Sequence, residues 1–573
     1  MKKKFLILLF FPLLGYQPEI RTGNSENHSE SSQITTGTFI YPETYDSAIS
    51  DSSYSATYAF KQAIENAKGK TILLKNSYGL DSLMEVDAGG YPVHIVSKTK
   101  AKIFLNNLTA SEYTWKYFIM PVGWNYKKDY PDSGSTYTIR GCKYEVVPNI
   151  GSRSILAKRI YGSSDPPKSG ILKKISGNGK DSYTYNGTGN GLLYIPIGNF
   201  TIKNASSVTI ENINFIGRST RDSLNFLSNL LVKDCKKIIL KNVKSRNSGY
   251  DGLYLIRTPE IDVENCEAPY NGRAGLEAYN INVKTTITGG NYSNNGVNYL
   301  PRSNGYGVTI SHEWGHPQLD NHNVLIENIT ADLNKYIAIQ VWAKNFLVTK
   351  NKINGFGVHG ISTINQAGET PDFAKISVNQ KIIGNTVIQD SSWLVGLQAK
   401  ADSVLYNTPI FAGSFSYKTA APKISAGNVI IENNILKNCG IPGIRGWITV
   451  FTNPNGDPID SIIIKGNTLD NVYTDLVREP AYGAISIVPA SEFSGFNRSS
   501  PLFVDISNNT INVAQDSIKY LYAIYSGKEI HLHNNKAVGH KFTRLLFSIK
   551  GFYKTFSQEN NYWNGKKIIA TKF

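Results

Sequence analysis

VTIENINF (208–215), IILKNVKS (238–245) and IDVENCEA (261–268) carry one pattern three times: β-branched or leucine residues in alternation, a polar residue, asparagine, then an apolar residue. It returns as TTITGGNYS (285–293), VLIENITA (324–331), FLVTKNKI (346–353), VIIENNIL (429–436), IIIKGNTL (462–469), VDISNNTI (504–511) and IHLHNNKA (530–537). Alternation with period two marks a strand that buries one face. The shortest spacings, 22 to 26 residues, suit one coil of three short strands, with longer spacings leaving room for loops. Coils that stack so that each strand pairs with its equivalent above bury a continuous apolar core. The asparagine position is filled by Asn212, Asn242, Asn265, Gly289, Asn328, Lys350, Asn433, Gly466, Asn508 and Asn534. Asparagine tolerates left-handed backbone and can bond to its copy in the next coil, so this position is expected to form a structural ladder.

A second strand set precedes the motif: DGLYLIR (251–257), AGLEAYN (274–280), YGVTISHE (306–313), IAIQVWAK (337–344), HGISTIN (359–365), VGLQAKA (395–401), RGWITVF (445–451), GAISIV (483–488) and YAIYSG (522–527). It predicts a neighbouring sheet. SATYAFKQAIENAKG (55–69) has apolar residues at helical spacing and ends at Gly69, which predicts a helix over the open end of the stack. The expected fold is all-β: a single right-handed parallel β-helix with an N-terminal capping helix and inserted loops.

Lys2 to Lys4 followed by the apolar run Phe5 to Leu14 reads as a secretory signal, too short to span a bilayer. Residues 1–21 are taken as signal peptide, 22–50 as a flexible polar leader and 51–573 as the β-helix domain. Residues 110–195, aromatic and basic without the repeat, are expected to be an irregular insertion, and 402–427 a second loop. The mature chain is expected to be a monomer without a transmembrane segment, secreted, periplasmic or at the cell surface. Four cysteines (Cys142, Cys235, Cys266, Cys439) lack metal-ligand spacing and read as small buried residues. The formal charge is +16, and about +13 without the three signal lysines. A basic exported chain points to acidic glycans rather than nucleic acid as partner.

The coil pattern and its opening helix resemble the pectate-lyase-like superfamily of parallel β-helix proteins over roughly residues 50 to 550. A closer resemblance is to polygalacturonase-type hydrolases, whose successive coils carry Asn-Thr-Asp-Gly, Asp-Asp, Gly-His-Gly and Arg-Ile-Lys. Here those coils carry Gly-Tyr-Asp251-Gly, Asn-Gly-Arg273-Ala, Gly-Tyr306-Gly-Val and Ile-Gln340-Val-Trp342. Only Asp251 is kept, so the resemblance implies the coil layout and a substrate groove and puts that family's hydrolytic mechanism in doubt.

Outward positions of coils 251–363 are rich in chemistry. Asp251, Arg273, Glu277, Tyr279, His312 and Glu313 are the candidate catalytic residues. Tyr254, Arg257, Gln340, Trp342, Lys344 and His359 are the candidate substrate contacts. β-Elimination at a uronate needs a cation on the carboxylate, a base for the adjacent proton and an acid for the departing oxygen. Arg257, Arg273 or Lys344 could neutralise, and His312 or Tyr279 could move protons. This makes a lyase acting on an acidic polysaccharide the first expectation. It requires no metal, although some relatives use calcium. A hydrolase needs two carboxyl groups flanking the bond. With coils about 4.8 Å apart, Asp251 and Glu277 would stand about 5 Å apart if their positions align, which suits a retaining enzyme. Asp251 and Glu313 would be about 10 Å apart, beyond the inverting range. A non-catalytic glycan-binding surface protein is the third expectation. Trp314, Trp342, Trp393 and Trp447 could stack on sugar rings. His312-Glu313-Trp314-Gly315-His316 has the wrong spacing for the helical zinc-protease motif.

Overall fold

The computed structural model describes residues 39–105 except 53 and 82, strands within 117–194, and 197–568 except 218–226, 298–304, 312–320, 368–376, 399–407, 417–424, 440–446, 453–457, 473–482, 490–500, 514–519, 526, 540–543 and 548–552. The expected signal peptide and most of the expected leader lie outside these residues, as do His312, Glu313 and Trp314.

The repeated motif forms one long parallel sheet, the motif sheet. Val208–Glu211, Lys237–Lys241, Glu260–Glu267, Lys284–Asn291 and His322–Glu327 pair in turn, each with the equivalent strand of the next coil. One inward column runs Ile210, Leu240, Val263, Ile287, Ile326, Val348, Ile382, Ile431, Ile464, Ile506 and Leu532, every member buried. Each such side chain contributes about 1.5–3 kcal/mol by leaving water. A second parallel sheet, the site sheet, runs through Leu253–Ile256, Ala274–Tyr279, Tyr306–Ser311, Ile337–Val341 and His359–Ser362. A third is built from short strands such as Ile435–Lys437 and Thr468–Val472. The architecture is a right-handed parallel β-helix.

Every residue at the asparagine position named above has positive φ, from 51° at Asn242 and Asn265 to 67° at Gly466. The ladder sits one residue later than expected in the C-terminal coils. Asn351, Asn385, Asn434, Asn467, Asn509, Asn535 and Asn561 are buried, and each backbone N–H from Asn351 to Asn535 donates to the next Oδ1 at 2.9–3.0 Å. Turning the chain and linking the coils are thus split between two consecutive residues. In the earlier coils the second position is apolar, as Ile213, Val243 and Ile329, and fills the core.

The capping helix spans Thr57–Ala67 and buries Ala59, Phe60, Ala63, Ile64 and Ala67. Phe60 packs edge-on against Tyr78 (5.0 Å) and Phe200 (5.9 Å), and left-handed Lys68 and Gly69 end the helix. Residues 39–50, expected in the leader, are folded: Phe39–Ile40 pairs with Thr71–Leu74, and Ile49 is buried. Of the expected 110–195 insertion, only strands within 117–194 are among the described residues. It contains an antiparallel sheet of Thr136–Ile139, Cys142–Val147, Ser169–Ser176 and Ser182–Asn186. Met84–Asp87 pairs directly with Ile197–Lys203, so the insertion leaves and rejoins the stack within one coil step. The described part of VGLQAKA, residues 395–398, is not a strand. Ser391–Gln398 is a helix whose start is capped by Asp390, Oδ1 accepting from Trp393 N–H at 3.0 Å. The sheet position is taken by Thr408–Ser416, expected in a loop. No helix among the described residues is long and apolar enough to cross a membrane.

Candidate functional site

The site sheet alternates like any strand set. Leu276, Val308, Ile339 and Ile361 point inward, and Tyr254, Glu277, Thr309, Gln340 and Ser362 form the matching outward row in register. Glycine opens several of these strands because the coils touch there. A Cβ on Gly275 would lie 2.7 Å from both Ala268 O and Gly307 O. The preceding turns are tied by a second asparagine ladder: Ser248 N–H donates to Asn271 Oδ1, Asn271 N–H to Asn295 Oδ1 and Asn295 N–H to Asn334 Oδ1, at 2.9–3.0 Å. These bonds fix the turns that carry Tyr250, Asp251 and Arg273.

Along this outer face, two apolar patches flank a polar stretch. One is Leu231, Tyr254, Ile256 and Tyr279 with Tyr250; the other is Ile364, Phe451, Val488, Ala523 and Tyr525 with Phe411. Between them lie Glu277, Thr309, Ser311, Gln340 and Ser362, all buried.

A charge cluster occupies the start of the polar stretch. Asp251 is fully buried and accepts from Arg273 at both oxygens, Nε at 2.9 Å and Nη2 at 2.5 Å, and from Ala274 N–H at 3.0 Å. The same Arg273 Nη2 pairs with Glu277 Oε2, while Glu277 Oε1 accepts from Ser311 Oγ at 2.6 Å. The guanidinium lies over the Tyr250 ring, 4.1 Å from its centroid, and 5.9 Å from that of Tyr254. Tyr254 OH donates to Tyr279 OH at 3.1 Å. Burial raises the Asp251 carboxyl above the usual carboxylate range, against the pull of Arg273 and the Ala274 N–H. Burial works against the Arg273 charge, but Asp251 and the two tyrosines outweigh it, so the guanidinium is held more firmly protonated than usual. Burial, with Tyr279 and Tyr250 beside it, pushes the Tyr254 phenol well up, which makes it a hydrogen-bond donor and not a base.

The sequence candidates therefore divide. Asp251, Arg273, Glu277, Tyr254 and Tyr279 come together. Asp251 and Glu277 do not align in register, since Glu277 stands opposite Tyr254; they meet through the shared guanidinium. Arg257, left-handed at the turn after its strand, grips Asp234 of the preceding coil with Nε at 2.6 Å and Nη2 at 2.9 Å. Gln340 accepts from Thr309 Oγ1 at 3.2 Å. Lys344 is not on this face: the strand ends at Val341, and Lys344 opens a strand of the motif sheet opposite His322. His359 stands at the start of its strand, its ring stacked on Phe411 at 4.6 Å. Trp342 is nearly buried at the turn. Trp447 is fully buried in the core and offers no face to a sugar, whereas Trp393 is half-buried against the core. The sequence reading missed Tyr250, whose neighbour Asp251 marks its turn, and Thr309, which only register with Glu277 reveals.

No group of three or more His, Cys, Asp or Glu among the described residues could hold a metal ion. Calcium would need carboxylates free to face it, and Asp251 and Glu277 are both engaged by Arg273.

No family model and no curated protein sequence matches the chain. Among solved structures it is similar to the Dettilon tailspike protein, at 13% identity over 89% of this chain and 68% of that one, TM-score 0.37. It is also similar to PfbA, a surface adhesin of Streptococcus pneumoniae, at 12% identity over 94% and 96%, TM-score 0.35. A third is the Yersinia enterocolitica family 28 exopolygalacturonase, at 12% identity over 93% and 79%, TM-score 0.30. The reading of this face rests on its own geometry.

Proposed function

We propose that this protein is an exported, carbohydrate-active β-helix that acts on a polysaccharide lying along the outer face of the site sheet, with Glu277 the carboxylate presented to the sugar. The observation that carries the proposal is the Asp251–Arg273–Glu277 cluster set between two apolar patches. Burying an ion costs several kcal/mol even after relaxation. The same face is closed elsewhere by Leu231, Ile256 and Val488, which carry no such cost. Charges kept where apolar residues would serve point to a functional site. The row Tyr254, Glu277, Thr309, Gln340 and Ser362 repeats about every 4.8 Å and is buried.

Glu277, oriented by Arg273 and Ser311, is the group on this face suited to exchange a proton with a glycosidic oxygen. Asp251, buried beneath Arg273, is a positioning residue; hydrolysis needs a second carboxyl group, and Glu313, two residues beyond Ser311 and outside the described residues, is the sequence candidate for it. β-Elimination at an acidic glycan gains less support: Arg273 is shared by two carboxylates, Arg257 is held by Asp234, and Lys344 lies on another sheet. The test is incubation with neutral, uronate-rich and sulfated polysaccharides, following reducing ends and ultraviolet absorbance together. Reducing ends without absorbance support hydrolysis. A parallel rise in absorbance means an unsaturated end, and elimination replaces hydrolysis. Retention on a glycan that is never shortened means a binding protein.

A further inference from the structure

We infer that the chain carries a second catalytic site, a serine–histidine–glutamate set on the outer face of the motif sheet that cleaves carboxylic esters, and that it works independently of the site sheet. It is built from outward residues of two paired strands, Glu529–His533 and Thr555–Glu559. Ser557 Oγ lies 2.6 Å from His531 Nδ1, and His531 Nε2 lies 2.7 Å from Glu529 Oε1. A hydroxyl within hydrogen-bond reach of a histidine whose other nitrogen is oriented by a carboxylate is the arrangement that activates a serine. The tautomer follows from the partners: Nε2–H donates to Glu529, which leaves Nδ1 to accept from Ser557 Oγ–H.

The set is placed by register. Asp505, His531 and Ser557 are successive partners in one outward row, which upstream is mainly apolar, with Leu325, Leu347, Ile430 and Ile463 and one Lys381. The His531 ring rests beside Phe503, with centroids 5.4 Å apart. The other outward histidine of the strand, His533, is held by Asp505 at 3.1 Å, so each histidine has its own carboxylate. The group is open to a substrate, His531 being 28% and Glu529 49% exposed. In the reaction Ser557 Oγ bonds to the ester carbonyl carbon as its proton moves to Nδ1. The imidazolium, held by Glu529, returns that proton to the alcohol oxygen as the C–O bond breaks. Water then gives a proton to Nδ1 and splits the acyl-serine, so ester and water become acid and alcohol. The oxyanion formed on the way needs a donor. Thr555 N–H donates to Lys528 O, and Glu559 O accepts from Asn534 N–H. Backbone groups alternate sides along a strand, so Gln558, next after the serine, directs its N–H away from the preceding coil and toward a bound ester.

The experiment treats the full chain with a fluorophosphonate, which phosphonylates an activated serine with loss of fluoride, and locates the adduct by peptide mass. Hydrolysis of p-nitrophenyl acetate is followed in parallel. Ser557→Ala, His531→Asn, Glu529→Gln and His533→Asn are run beside the wild type, with circular dichroism as a check on folding. The expected result is one adduct, at Ser557, absent from Ser557→Ala. Labelling and ester cleavage should slow by about a hundredfold in His531→Asn, which loses the base. Glu529→Gln, which keeps a hydrogen-bond acceptor but no charge, should fall between that variant and the wild type. His533→Asn should label and cleave as the wild type does, which separates the role of His531 from a general effect of changing this strand. An unlabelled wild type, an adduct only on another serine, or equal labelling of wild type and His531→Asn would overturn the assignment and leave the reading of the site sheet untouched.

Discussion

Asp251→Asn removes one carboxylate from beneath Arg273 while keeping the side chain's shape. Asparagine Oδ1 can still accept from Ala274 N–H and Arg273 Nε, but its amide nitrogen meets Arg273 Nη2 as donor against donor. Removing one partner of a buried pair costs about 3–5 kcal/mol when the other charge is left uncompensated. Glu277 stays on the guanidinium, so the lower end, about 3 kcal/mol, is expected. In a stack of coils, stability is roughly a sum of coil and nearest-neighbour terms, so the loss should be local. Native-state amide exchange reads this directly. In the variant, exchange across Leu253–Ile256 and Ala274–Tyr279 should quicken by about 100-fold, while Ser461–Lys465, many coils away, should not change. Replacing Asp251, Arg273 and Glu277 together by leucine, methionine and glutamine should recover most of the loss, because no unmatched charge is then left. A change of less than threefold in both strands of Asp251→Asn would refute the cluster as the linchpin of these coils.

The other predictions concern the scaffold. Asn434 Oδ1 accepts from Asn385 N–H and Nδ2; Asn434→Ala orphans the buried N–H, while Nδ2 keeps Val348 O and Ile383 O, and should cost about 2 kcal/mol in urea unfolding. Asn433→Gly, one residue earlier at φ 55°, should cost less than about 0.5 kcal/mol; similar losses at both would contradict the division of roles. Gly290, at φ +96°, has no room for a Cβ because Cys266 O occupies the place, so Gly290→Ala should fail to give soluble protein; a melting temperature within a few degrees of wild type would refute the close approach. Burial pushes the Cys235 and Cys266 thiols up to about 12 from an ordinary 9.0. The native thiols should resist maleimide at pH 8. Stability should be intact below pH 9 and fall as pH rises toward 12, less steeply in a Cys235→Ala/Cys266→Ala variant, because the unfolded thiols ionise first.

The repeat was legible because its signal is local. Alternation and the turn asparagine are set within one strand and its turn, so Ile210, Leu240 and Val263 could be put in one column before any coordinates. What escaped depends on register or on a competing local rule. Asp390, three residues before Trp393, is an N-cap that turns 391–398 into helix despite its apolar run. Lys344 looked continuous with Ile337–Val341, yet the chain turns after Val341 and carries it to another sheet. Asp251 and Glu277 were both candidates on the sequence, but that one arginine binds both could only come from the three-dimensional pairing of Ala274 with Asp251.

On the proposed reading, a polysaccharide is processed at Glu277 on the site sheet. Reducing-end release is compared between wild type, Glu277→Gln and Asp505→Asn on whichever polysaccharide the wild type shortens; Asp505 lies on the motif sheet, paired with His533 at 3.1 Å. Asp505→Asn should match the wild type, and Glu277→Gln should lose at least a hundredfold in rate while keeping its fold. Equal rates in wild type and Glu277→Gln would contradict it.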